Sequence, residues 1–175
     1  VTAVTQVSNS TYGYATANTI GSTNGAVTIQ RPTPTETFTL SAGVNQTTLQ
    51  KDDVLTYRVQ NSRSLSFASG DFTVTYDDTL FALESVEPDS SLKGQYSVNS
   101  SILGQVRFVY AGSEATSAYT LFTVKLRVIA DVDTTTTVKA QASNVYREDL
   151  SVYLPGSYSR SLTLQKLPEV IDYPD

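Results

Sequence analysis

The sequence predicts an all-β fold, a two-sheet β-sandwich, and three observations support this prediction. Serine and threonine make up about a quarter of the 175 residues, whereas only 17% of the residues are charged. Short segments of alternating apolar and polar residues follow one another, and this period of two is typical of half-buried strands. No amphipathic helical pattern of useful length separates them. Strands without helices bury their apolar faces against each other, so we expect two packed sheets.

The clearest strand pattern covers residues 70–76. Three polar residues, Asp71, Thr73 and Thr75, alternate there with apolar ones. The sequence Asp77-Asp78-Thr79 then interrupts the alternation with side chains that favour turns. We therefore expect a strand with one dry face, whose other face presents a carboxylate and two hydroxyls to water.

Nine strands are predicted in all, which matches the strand number of a jelly roll. They cover residues 37–42, 53–60, 70–76, 80–86, 94–99, 105–111, 119–129, 137–145 and 157–165. In the seventh strand, Phe122 and Val124 are expected to point inward and Lys125 outward. Arg127, on the same strand, is also expected to project into water. Glu84 on a neighbouring strand would offset its charge.

Composition divides the chain into three parts. Residues 1–34 are rich in Thr, Ser, Asn and Gly, and we interpret them as an N-terminal extension, either a linker or a packed hairpin. Residues 35–166 contain all nine predicted strands and form the expected sandwich. Residues 167–175 are interpreted as a C-terminal linker.

The amino-acid composition excludes several classes of function. The chain has no Cys, His, Met or Trp, which excludes thiolate or imidazole zinc sites, a Ser-His-Asp triad and a cysteine nucleophile. A net charge of −5 supplies no basic patch for nucleic acid. No apolar run approaches the roughly eighteen residues that span a bilayer. We expect no cofactor and no membrane span, and the absence of oxidisable Cys and Met suits an oxidising exterior.

Five motifs follow one another in a recognisable order. They are Lys51-Asp52-Asp53-Val54, the strand and corner at 71–77, Leu83-Glu84-Ser85-Val86, and the segments 104–111 and 121–126. In this order they resemble the cohesin module, the scaffold half of the cohesin–dockerin pair that assembles bacterial polysaccharide-degrading complexes. The resemblance spans about residues 35 to 165 and depends on apolar spacing. It implies a secreted or cell-surface jelly roll without catalytic activity, a monomeric module of a larger protein that binds a calcium-loaded dockerin.

The resemblance also implies a binding face, which the third, fifth, sixth and eighth strands form in that family. Carried over by motif, the residues of this face are Asp71, Thr73, Thr75, Arg107, Val109 and Ala111. Asp71 matches a polar position that bonds a dockerin hydroxyl, and Val109 matches an apolar contact position. The chain departs from the family just beyond, because Gly112 and Ser113 stand where many cohesins have acidic residues.

Other functions remain compatible with the residues. Two aspartate pairs, Asp77 with Asp78 and Asp131 with Asp133, offer oxygen ligands to a hard cation, although turn chemistry explains both. Glutamates could pair for glycoside hydrolysis, but no pattern brings them to a shared cleft. Tyrosines at loop ends would stack on sugars in a carbohydrate-binding or adhesin-type sandwich of a bacterial surface protein, which is the alternative function. Tyr110 is an exception, since it falls on the inward side of its strand.

Overall fold

The computed structural model describes residues 21–23, 26–28 and 33–169. These residues form twelve strands and no helix: β1 (Gly21–Thr23), β2 (Ala26–Thr28), β3 (Leu40–Val44), β4 (Thr48–Leu49), β5 (Val54–Asn61), β6 (Phe67–Thr75), β7 (Phe81–Pro88), β8 (Gln95–Asn99), β9 (Gln105–Thr116), β10 (Thr120–Val128), β11 (Thr134–Tyr146) and β12 (Gly156–Leu164). β1 and β2 pair as antiparallel strands. Most of the predicted N-terminal extension, and the predicted C-terminal linker beyond residue 169, lie outside the described residues.

The ten strands from β3 to β12 form the two sheets that the alternation predicts. One sheet has the order β3-β5-β10-β7 and the other has the order β4-β12-β11-β6-β9-β8. Every strand pair is antiparallel except β12 with β4. The predicted all-β, two-sheet sandwich is confirmed.

All nine predicted strands are present, and most of their ends differ from the prediction by a few residues. β4 is the one strand of the sandwich that was missed, because two residues are too short to show a period of two. β3 begins at Leu40, since Thr37 makes only an isolated bridge to Leu154. β9 continues to Thr116 through a polar segment that carries no apolar alternation.

An aromatic cluster joins the two sheets. Phe72 and Val74 on β6 are 1% and 0% exposed, so the inward side of this strand is dry, as predicted. The ring of Phe108 on β9 stacks on the ring of Phe122 on β10, with centroids 4.4 Å apart and an interplanar angle of 14°. Tyr110 is also buried, as expected from its position. These contacts fix which side of each strand faces water.

The outer surface of the four-stranded sheet is a charge-paired surface. Arg127 forms an ion pair with Glu84, as the sequence predicts. Lys125 pairs with Glu87 at 3.1 Å, and this contact lowers the pKa of Glu87 below its usual value. Because these side chains remain well exposed, they contribute little to stability and mainly keep the sheet surface hydrated.

Three members of the two aspartate pairs, Asp77, Asp131 and Asp133, serve as turn and loop anchors. Asp77 accepts hydrogen bonds from the hydroxyl and, at 2.9 Å, the backbone N–H of Thr79, which lower the pKa of Asp77. Asp131 and Asp133 accept backbone N–H groups of Leu167 and Lys166 at 2.8 and 2.9 Å. Within the described ranges, no cluster of three or more acidic side chains is arranged to hold a metal ion.

Tyr57 links stability to alkaline pH. Its side chain is fully buried on β5, its hydroxyl donates a 3.4 Å bond to the Val138 carbonyl on the other sheet, and burial raises the pKa of Tyr57. The unfolded chain releases this proton near pH 10. We therefore expect the contribution of Tyr57 to be fully present below about pH 10 and to be lost by about 1.4 kcal/mol per pH unit above it.

Urea unfolding at several pH values between about 8 and 11 tests this expectation. Tyr57→Phe should flatten the alkaline loss of stability, whereas Tyr119→Phe, at a tyrosine that is 50% exposed, should not. Equal slopes for the Tyr57→Phe variant and the parent protein would contradict the assignment.

Candidate protein-binding face

Four neighbouring strands of the six-stranded sheet, β11, β6, β9 and β8, present one continuous surface. They are the eighth, third, sixth and fifth predicted strands, the same four that the resemblance implies. We call their outward side the outer face. Its residues are Lys139, Gln141 and Ser143 on β11; Ser69, Asp71, Thr73 and Thr75 on β6; Gln105, Arg107, Val109 and Ala111 on β9; and Gln95, Ser97 and Asn99 on β8.

The strand register arranges these residues in rows across the sheet. One row runs Ser143, Asp71, Val109, Ser97, and the next runs Gln141, Thr73, Arg107, Asn99. Thr75 lies in a third row and Ala111 in a fourth. The structure therefore brings all six sequence-predicted site residues onto one surface.

The centre of the outer face is an ion pair between Asp71 and Arg107. Arg107 Nε donates to Asp71 Oδ1 at 2.9 Å and to Oδ2 at 3.0 Å, and Arg107 Nη2 also donates to Oδ2. Asp71 is only 9% exposed, whereas the Arg107 side chain is 52% exposed. The contact with Asp71 raises the pKa of Arg107. The guanidinium thus covers the carboxylate and faces water in its place.

The expectation of an Asp71 carboxylate open to water is therefore wrong. Alternation correctly placed Asp71 on the outward side of β6, but it carries no information about neighbours on other strands. Arg107 lies diagonally across the β6–β9 ladder, one row from Asp71. Finding this pair requires the register between two segments that are 36 residues apart.

Val109 supplies apolar surface beside the ion pair. It lies directly opposite Asp71 in the β6–β9 register and is 37% exposed. Ala111, two residues further along β9, is also exposed. Amide and hydroxyl side chains of β8 and β11 flank this small apolar centre, and this composition is typical of a protein-binding surface.

Lys139 is a residue of the outer face that the sequence reasoning did not select. It lies opposite Thr75 in the β6–β11 register and is partly exposed. Among the described residues it forms no ion pair. Its outward position follows from the alternation of 138–142, so the same pattern that identified Asp71 could have identified Lys139.

The tyrosines and cavities offer little for sugar chemistry. Tyr153 is 4% exposed and lies under the Arg147 guanidinium at 3.7 Å, so its ring face is covered. Tyr96 is 53% exposed and stacks on Phe108. Two cavities of about 130 and 270 Å³ contain one carboxylate each, Glu114 and Asp78. Neither cavity provides the pair of carboxylates that glycoside hydrolysis uses.

The family model described as the cohesin domain matches residues 39–153, which is more than half of the chain. The chain belongs to the cohesin family. Cohesin domains are non-catalytic binding modules and are typically extracellular. No relative was found among curated proteins. In the part of the chain that the structure describes, no helix is long and apolar enough to cross a membrane.

Solved structures show the same fold at low sequence identity. A cohesin module from a family 33 glycoside hydrolase of Clostridium perfringens has a TM-score of 0.60 and 14% identity, over 76% of this chain and all of that one. CaCohA2 from Clostridium acetobutylicum has a TM-score of 0.60 and 17% identity, over 74% and 92% of the two chains. A cohesin in the Coh-OlpA-Doc918 complex of Clostridium thermocellum has a TM-score of 0.53 and 16% identity, over 74% and 99%.

The ion pair on the outer face has a measurable effect on folding. Arg107→Ala removes all the hydrogen bonds that Arg107 donates to the Asp71 carboxylate, so we expect a larger loss in the free energy of unfolding than from breaking a well-exposed ion pair. The double variant Asp71→Ala/Arg107→Ala should lose less than the sum of the two single variants.

Urea unfolding of the four proteins measures this coupling. Lys125→Ala is the matched control, because its pair with Glu87 is well exposed and should contribute little to the free energy of unfolding. Equal losses for Arg107→Ala and Lys125→Ala would show that the central pair is an ordinary surface contact.

Proposed function

We propose that this protein is a non-catalytic cohesin module that binds a calcium-loaded dockerin through the outer face. The observation that carries the proposal is the position of six residues, selected from the sequence by family motif, on the same side of two adjacent strands, β6 and β9, at the centre of a four-stranded surface. The Clostridium thermocellum relative is itself a type I cohesin in complex with a dockerin. By extension, the module holds a dockerin-bearing enzyme in an extracellular polysaccharide-degrading assembly.

The chemistry of the outer face suits recognition by another protein. Its centre combines the exposed aliphatic group of Val109 with the guanidinium of Arg107, and Arg is among the residues enriched at binding hot spots. Hydroxyl and amide groups around the centre can form hydrogen bonds at a polar rim. The outward side of the four-stranded sheet presents two exposed charge pairs, Lys125 with Glu87 and Arg127 with Glu84.

The absence of catalysis is part of the same proposal. The composition excludes nucleophiles and bases that require Cys or His. Paired carboxylates are the arrangement that glycoside hydrolysis would use, and each of the two cavities described above holds one carboxylate. A binding role for the outer face explains its exposed polar and apolar groups, and no catalytic reaction is needed to explain them.

Calorimetric titration against a panel of calcium-loaded dockerins, including Doc918, tests the proposal. We expect at least one dockerin to bind with 1:1 stoichiometry, and we expect binding to disappear when EDTA removes calcium from the dockerin. Failure of every dockerin, or binding that survives chelation, would contradict the proposal. Pull-down by insoluble glycans in place of dockerins would favour a carbohydrate-binding sandwich.

A charge placed at the apolar centre tests the location of the interface. Val109→Asp should weaken dockerin binding by at least about 1–2 kcal/mol, or about tenfold, because it buries a charge at the contact. Val132→Asp is the matched control, since Val132 is 39% exposed and lies between β10 and β11, away from the outer face. Equal effects of the two substitutions, measured by the same titration, would show that the outer face is not the interface.

A further inference from the structure

We propose that Arg107, and not Asp71, is the central contact residue of the outer face, and that it selects a partner with a carboxylate at that point. The inference rests on the proposed dockerin-binding function and specifies the chemistry of the dockerin surface. The family resemblance alone implies the reverse arrangement, in which Asp71 accepts a hydrogen bond from a dockerin hydroxyl.

The hydrogen-bonding capacity of Asp71 is largely used within the chain. A carboxylate has about four lone-pair sites. Arg107 donates three hydrogen bonds to the two oxygens of Asp71. The Asp71 side chain is 12% exposed. A partner hydroxyl would therefore meet little carboxylate surface unless the guanidinium moved away.

Arg107 retains the donors that Asp71 does not use. A guanidinium has five N–H groups. Nε and Nη2 bond to Asp71, whereas Nη1 has no acceptor among the described residues, and the side chain is 52% exposed. These remaining donors lie at the edge of the planar group and match the geometry of a carboxylate. Asp71 also holds the guanidinium in place, so less side-chain entropy is lost when a partner binds.

The charges around Arg107 favour an anionic group. The outer face has three charged residues, Asp71, Arg107 and Lys139. Asp71 compensates Arg107, so Lys139 leaves the face with a net positive charge, although the whole chain carries −5. From strand spacing, Lys139 lies roughly 12 Å from Arg107. A partner carboxylate at Arg107 would thus meet only one acidic side chain on the face, and the guanidinium covers it.

The two arrangements predict opposite effects of one substitution. If Arg107 is the contact, Arg107→Gln removes the charged donors and weakens binding. If Asp71 is the contact, Arg107→Gln uncovers the carboxylate and strengthens binding. Asp71→Asn provides the complementary comparison, because it removes the negative charge and one of the two acceptor oxygens but keeps the Arg107 donors.

The experiment is calorimetric titration of the parent protein, Arg107→Gln, Asp71→Asn and Lys125→Gln against the calcium-loaded dockerin panel. We expect Arg107→Gln to weaken the best pair at least tenfold, Asp71→Asn to weaken it less, and Lys125→Gln to have no effect. Each dockerin Asp and Glu is then replaced by its amide. One replacement should weaken the parent complex at least fivefold and have no further effect on the Arg107→Gln complex.

The outcomes separate the inference from the proposed function. Tighter binding by Arg107→Gln, or complete loss with Asp71→Asn alone, would overturn the inference and leave dockerin binding intact. Binding by Arg107→Gln to a dockerin that the parent protein does not bind would also overturn it. If neither the parent protein nor any variant binds a dockerin, the proposed function fails and the inference fails with it.

Discussion

The alternation of side chains along β6 couples the core of this protein to its outer face. β6 lies between β11 and β9, and its inward residues Phe72 and Val74 are buried while Asp71 points outward. A shift of one residue in its pairing would exchange the two sides of the strand. The aromatic core therefore determines the register, and the register determines which polar groups share the outer face.

A close approach at Gly70 supports this register. A Cβ atom at Gly70 would lie 2.7 Å from the Phe72 ring, so any larger residue would force the ring to shift. Gly70 is itself buried and pairs with Tyr110 on β9. In the sequence Gly70-Asp71-Phe72, the glycine thus leaves room for the aromatic ring. The carboxylate between them accepts hydrogen bonds from Arg107 on β9.

The ion pair on the outer face shows how a common fold acquires a particular surface chemistry. A β-sandwich fixes only the direction of each side chain, and many residues are tolerated on the exposed side of a sheet. Here the residue diagonal to Asp71 is an arginine, and its guanidinium replaces a carboxylate as the group that faces water. The fold is that of the cohesin family, and an aspartate–arginine pair forms the centre of its outer face.

The sequence was sufficient for nine of the ten strands of the sandwich, for their inward residues and for the outward position of the six selected residues on β6 and β9, because alternation and motif order are local properties of the chain. It could not place β4, whose two residues are held by pairing with β12. It could not reveal the contact between Asp71 and Arg107, because that contact depends on register across 36 residues. Lys139 was missed although its alternation was visible, since no motif directed attention to its strand.

Backbone amide chemical shifts, recorded while a calcium-loaded dockerin is added, test the central claim most directly. The account predicts that the perturbed amides map to β6, β8, β9 and β11, with the largest changes near Asp71 and Val109. Perturbations confined to the four-stranded sheet, or to loop tyrosines such as Tyr119, would contradict it.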